Sequence, residues 1–82
     1  MIMARTELNS PLPGVFYRRP SPDSDVFKND GDAVAATDIL GVIEVMKSFH
    51  EIPAGAAGTN LKFLVDDGDA VMAGQPIAEI DA

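Results

Sequence analysis

The chain contains no cysteine and no tryptophan. Without thiols there are no disulfides, no thiolate nucleophile and no cysteine-ligated zinc, so packing alone holds the fold and a reducing compartment is tolerated. A single histidine, His50, excludes a histidine-rich metal site, and no acid or base stands at a recognisable spacing from it. No catalytic residue and no metal ligand is therefore assigned. Positive charge is also scarce: six Lys and Arg against thirteen Asp and Glu give a formal charge of -7, and the six are scattered. Nucleic acid and anionic membranes are accordingly not expected partners. No apolar run approaches the roughly 20 residues that span a bilayer. The opening Met1-Ile2-Met3-Ala4-Arg5-Thr6-Glu7 reads neither as a signal peptide nor as a transit peptide, which makes a cytoplasmic protein the expectation.

What is present is 82 residues, 46% of them hydrophobic, enough for one domain with a modest core. Within that length Asp30-Gly31-Asp32-Ala33-Val34 recurs thirty-seven positions later as Asp67-Gly68-Asp69-Ala70-Val71, and the match extends to Ala36 with Ala73 and Ile43 with Ile80. Two copies are too few for a solenoid, so the repeat implies one domain of two similar halves sharing a core. Each copy sets a turn-forming Asp-Gly-Asp between apolar stretches.

Residues 38–52 fit two patterns. Val42, Val45, Phe49 and Ile52 fall on one helical face, with Asp38 as cap and Pro53 as stop. The repeat favours a strand, because residues 39–44 align with Pro76-Ile77-Ala78-Glu79-Ile80-Asp81, where the leading proline and the alternation suit extended chain. The β-branched Ile39, Val42, Ile43 and Val45 agree. With Met46 and Lys47 as the centre of a two-residue hairpin, Val45 faces Ser48, Glu44 faces Phe49 and Ile43 faces His50, which puts the lysine at a tip. Leu61, Phe63 and Val65 alternate with polar neighbours in a further half-buried strand. Tyr17, Phe27, Phe49 and Phe63 are assigned to the core. The fold class is all-β, a flattened barrel or sandwich with pseudo-twofold symmetry.

Glu44-Val45-Met46-Lys47 on a hairpin tip between two half-repeats resembles the Glu-Ala-Met-Lys attachment motif of biotinyl domains. Ser10-Pro11-Leu12-Pro13-Gly14-Val15-Phe16-Tyr17, followed by Pro20-Ser21-Pro22-Asp23 and Phe27, is similar to the biotin carboxyl carrier proteins of bacterial and plastid acetyl-CoA carboxylase, in which the Pro-Ser-Pro-Asp segment belongs to a protruding thumb. Three departures stand out: Val45 for the usual Ala, Ser48 where a second Met is frequent, and Arg19 where Ser or Thr is common. The resemblance implies a barrel-sandwich hybrid over residues 10–82 after a short N-terminal tail, 1–9, with a thumb at 17–25. It implies covalent biotin on Lys47, with Glu44, Val45 and Met46 read by biotin protein ligase, and Arg19, Pro20, Ser21, Pro22 and Asp23 in the thumb. Such a domain is a non-catalytic carrier between a biotin carboxylase and a carboxyltransferase, with malonyl-CoA made from acetyl-CoA for fatty acid biosynthesis as the leading product. Carriers of other small biotin-dependent carboxylases, lipoyl carrier domains and an unmodified barrel acting as an adaptor are the alternatives. Met46 speaks against lipoyl carriers, which place Asp or Val before the lysine. Arg19 is expected to point to solvent, and Val26 and Phe27 to return the chain to the core.

Overall fold

The computed structural model describes residues 5–82 and contains, among them, strands, turns and loops but no helix. The strands are β1 (Arg5–Asn9), β2 (Gly14–Tyr17), β3 (Ile39–Val45), β4 (Ser48–Pro53), β5 (Thr59–Phe63), β6 (Asp69–Val71) and β7 (Pro76–Asp81). They make two antiparallel sheets, ordered β1-β7-β5 and β4-β3-β2-β6. This is the flattened all-β sandwich that the sequence implies. Residues 38–52 resolve as strand, turn and strand. Residues 40–43 of β3, the β-branched Val42 and Ile43 among them, are buried, and the strand runs between β2 and β4, a setting that favours extended chain.

The repeat is legible atom by atom. The Gly31 N–H donates to the Leu61 carbonyl at 2.7 Å, and the Gly68 N–H to the Phe16 carbonyl at 2.7 Å. Asp30 accepts the Phe63 N–H at 3.0 Å, and Asp67 the Arg18 N–H at 2.7 Å. Gly31 and Gly68 have φ of 93° and 90°, a left-handed corner that glycine adopts without steric cost. The aspartates of each Asp-Gly-Asp thus close the corner and hold the neighbouring strand.

The core follows the same symmetry. Leu8, Val34, Leu40, Leu61 and Ile80 lie in one buried cluster, and their counterparts Ile52, Val71, Ile77, Phe16 and Ile43 form the other. The correspondence equates β7 with β3, β5 with β2, and β1 with β4. The first equation follows the repeat. The last does not, and it corrects residues 5–9 of the expected tail at 1–9, whose first four residues lie outside the described ones: Arg5–Asn9 is a strand along the edge of β7, and the irregularity between Leu8 and Asn9 matches the one between Ile39 and Gly41. A central strand buried between sheets must have its backbone groups paired on both edges, and β1 supplies one edge of β7. Only Leu8 of β1 is buried, so no hydrophobic alternation announces it.

Two expectations about the aromatic residues are corrected as well. The one fully buried aromatic is Phe16, at 0% exposure. In β2 successive side chains take opposite faces, so Phe16 inward leaves Tyr17 outward and half-buried. Phe63 packs on both clusters while half-exposed, with its ring 6.1 Å from that of Phe16. Phe49 is 59% exposed, and Val26 and Phe27 are half-buried and lie in neither cluster.

Candidate functional site

Lys47 stands where the sequence places it. Val45 pairs with Ser48, Glu44 with Phe49 and Ile43 with His50, leaving Met46 and Lys47 as a two-residue turn. Both have positive φ, 50° and 66°, the left-handed pair that matches the twist of a hairpin. Neither residue type favours that region; asparagine and glycine do, so this turn carries backbone strain at its tip. Met46 is 93% exposed and Lys47 is exposed.

The root of the tip is firm. β3 is held on both edges, and β2 approaches it closely through Gly14, where a Cβ would collide with the Glu44 carbonyl. Val45 packs against the cluster of Phe16 and Ile43, so its side chain turns into the core. Of the four motif residues, Met46 and Lys47 are therefore the ones that stand exposed at the tip. Glu44 is half-buried, and the Tyr17 hydroxyl donates to its carboxylate at 3.4 Å. Burial, together with the charge of Glu44, pushes the Tyr17 phenol above its ordinary value, so it remains a donor through neutral pH.

The thumb leaves the sheet after Tyr17 and is closed by its own hydrogen bonds. The Phe27 N–H donates to the Arg18 carbonyl at 2.9 Å, the Ser24 N–H to the Ser21 carbonyl at 3.1 Å, and the two serine hydroxyls lie 2.8 Å apart. Arg19 does not point to solvent as expected. It is half-buried, and its guanidinium Nη1 donates to the Ser24 carbonyl at 3.3 Å, bracing the loop from inside. Arg18 anchors the base: its guanidinium lies 4.2 Å from the centre of the Phe63 ring and donates to the Lys28 carbonyl at 3.2 Å.

Between thumb and hairpin lies a cleft of about 420 Å³, lined by Tyr17, Arg19, Pro20, Ser21, Pro22, Phe49 and Asp67. Of the thumb residues singled out in the sequence, Asp23 alone is not on its wall. Tyr17 and Phe49, assigned to the core, are wall residues instead. The signal for Phe49 was the hairpin register itself, because a residue directly opposite an outward glutamate also faces outward.

A lysine raised on a braced two-residue turn, beside an ordered loop and a cleft, defines a class: an attachment domain that carries a covalently held group on a movable arm. The particular family is that of the biotin-requiring enzymes, to which this chain belongs, with residues 6–81 matching it. Among its relatives, the biotin carboxyl carrier protein of acetyl-CoA carboxylase from Chlamydia pneumoniae is 40% identical over 73 residues, covering 89% of this chain and 44% of the relative. The protein of that name from Haemophilus influenzae is 38% identical over 74 residues, covering 90% and 48%. The chain thus spans about half the length of the curated relatives it matches. Among solved structures, the urea carboxylase of Kluyveromyces lactis is similar over 98% of this chain and 6% of its own, with a TM-score of 0.73 and 30% identity. Biotin is the cofactor that such a domain serves.

Proposed function

We propose that biotin is joined to the Lys47 amine as an amide by a biotin protein ligase, and that the domain then presents it in turn to a biotin carboxylase and a carboxyltransferase. The observation that carries this reading is the exposed Met46-Lys47 turn, strained and braced, within Glu44-Val45-Met46-Lys47. Bound biotin supplies a ureido nitrogen that takes up and releases a carboxyl group. What the chain contributes is reach and aim. The long lysine stem gives reach, and the fixed hairpin limits the search to the torsions of the arm. Acylation also neutralises the lysine, making the domain one charge more acidic. The cleft, walled by Tyr17, Pro20, Pro22 and Phe49, gives the head of the arm an apolar resting place close to its root.

The carrier relatives favour acetyl-CoA as the substrate of the partner carboxyltransferase, with no catalytic step on this chain itself. The likeness to urea carboxylase favours a second reading, a carrier for another biotin-dependent carboxylase. The attachment itself is tested by co-expressing wild type and Lys47→Arg with biotin ligase, and separately with lipoate ligase, and weighing the intact proteins. Wild type should gain biotin and no lipoyl group. Arginine keeps the charge, but its guanidinium stays protonated and does not attack the activated carbonyl, so the variant should gain neither while its circular dichroism is unchanged. Equal labelling of the variant would move the acceptor to another lysine such as Lys28 or Lys62.

A further inference from the structure

Among the described residues Met46 is the most exposed of the large apolar side chains, at 93%, against 68% for Met72 and 59% for Phe49. It packs on neither core cluster, and its φ of 50° is a conformation that methionine does not favour. No packing among the described residues accounts for a methionine there. An apolar side chain beside the acceptor lysine gains by burial only when a partner covers it, and the partner that must cover this tip is the one that acylates Lys47. The thioether that is offered to that partner is also open to oxidants.

We propose that Met46 is an oxidation-sensitive site that gates the loading of Lys47, an inference that rests on Lys47 being the attachment point. In the step, a sulfur lone pair of Met46 attacks one oxygen of a hydroperoxide. The S–O bond forms as the O–O bond breaks, sulfur is oxidised by two electrons, and the other oxygen leaves with a proton as water or alcohol. The sulfoxide is polar and chiral, and a partner surface shaped for a thioether leaves its oxygen without a hydrogen bond. Acceptance of biotin at limiting ligase should fall by roughly tenfold or more, the cost of one buried unpaired polar group.

The test treats the unbiotinylated protein with hydrogen peroxide and maps each methionine by peptide mass, Met1 and Met3 included. Biotin incorporation by the ligase is then timed by intact mass. Wild type and Met72→Leu should lose acceptance in proportion to Met46 sulfoxide and regain it with methionine sulfoxide reductases of both stereospecificities. Met46→Leu, whatever its own rate, should keep that rate after peroxide. The gate is overturned if oxidised wild type loads at the untreated rate, or if Met46→Leu loses as much as wild type. Should Met46→Leu be refused even untreated, recovery of oxidised Met72→Leu on reduction decides: recovery supports the gate and its absence overturns it. No biotin on Lys47 in untreated protein overturns the attachment reading and the gate with it, an outcome distinct from loading that ignores peroxide.

Discussion

Two phenylalanines divide the roles of this small molecule. Phe16 has 0% exposure and fills one half of the core, whereas Phe49 is 59% exposed and walls the cleft. Phe16→Ala should therefore cost about 3–5 kcal/mol, a large share of the roughly 5–15 kcal/mol that keeps a domain folded. Phe49→Ser should stay within about 0.5 kcal/mol of wild type. Urea denaturation of both variants checks this, and equal losses would put Phe49 back in the core. The position of Lys47 at an exposed hairpin tip was legible because Glu-Val-Met-Lys, the repeat and the hairpin register all pointed to residue 47. The aromatic assignment failed for a physical reason. Residue type alone assigns aromatic residues to the core, whereas alternation along β2 and the pairing of Phe49 with Glu44 fix which face each ring takes. Residue type gives a tendency to burial; register decides the side.

The hairpin and the thumb act as a pair of elements rather than as separate loops. The hairpin sets where the proposed arm begins. The thumb, locked by the Phe27 to Arg18 closure and by Arg19 within it, sets a wall beside that point. Pro20 and Pro22 fix their own φ and restrict the residues before them, which removes in advance part of the entropy of ordering the loop. Their order was legible from those prolines, but the direction of Arg19 was not, since it depends on the Ser24 carbonyl folding back beneath it. Arg19 lines the cleft together with Tyr17, Pro20, Pro22 and Phe49, and the lining is largely apolar. Biotinylated protein should thus show amide shifts at Arg18, Arg19, Ser21, Asp23, Ser24 and Phe49 relative to the unmodified protein, and Phe49→Ser should shrink those in the thumb. Comparison of the two states by NMR checks this, and shifts confined to residues 45–48 would show an arm that never rests on the thumb.

At the scale of the whole molecule the two halves share a frame and differ at their ends. The pairing of Glu44 with Phe49 at the lysine end corresponds to the pairing of Asp81 with Arg5 at the other. One end presents an exposed aromatic residue beside the tip. The other is tied by charge: Arg5 donates to Asp81 at 2.8 Å and lies 3.3 Å from Glu79, while the Asn60 side-chain amide donates to Asp81 at 2.8 Å. Asn60, with φ 52°, sits in the irregular stretch of β5 between Thr59 and Lys62 that has no counterpart in β2. The hydrogen bond from Asn60, then that from Arg5, hold the Asp81 carboxyl below its usual range. A folded-state value below the unfolded one means that this network stabilises the protein above the ordinary aspartate value of about 3.9 and that the contribution is lost as pH falls through the lower folded value. Asp38, held down by the Ala35 N–H and by Lys28 at 3.0 Å, adds to the same acid slope. Asp81→Asn should be less stable than wild type at pH 7, and the gap should narrow as both are taken down through pH 4 toward pH 2, because protonation removes from wild type the charge that the variant already lacks. Biotin acceptance at Lys47 should be unaffected, since the network closes the other end. Urea midpoints at each pH measure the gap, and a difference that stays constant into acid would show that Asp81 acts through packing rather than through its charge.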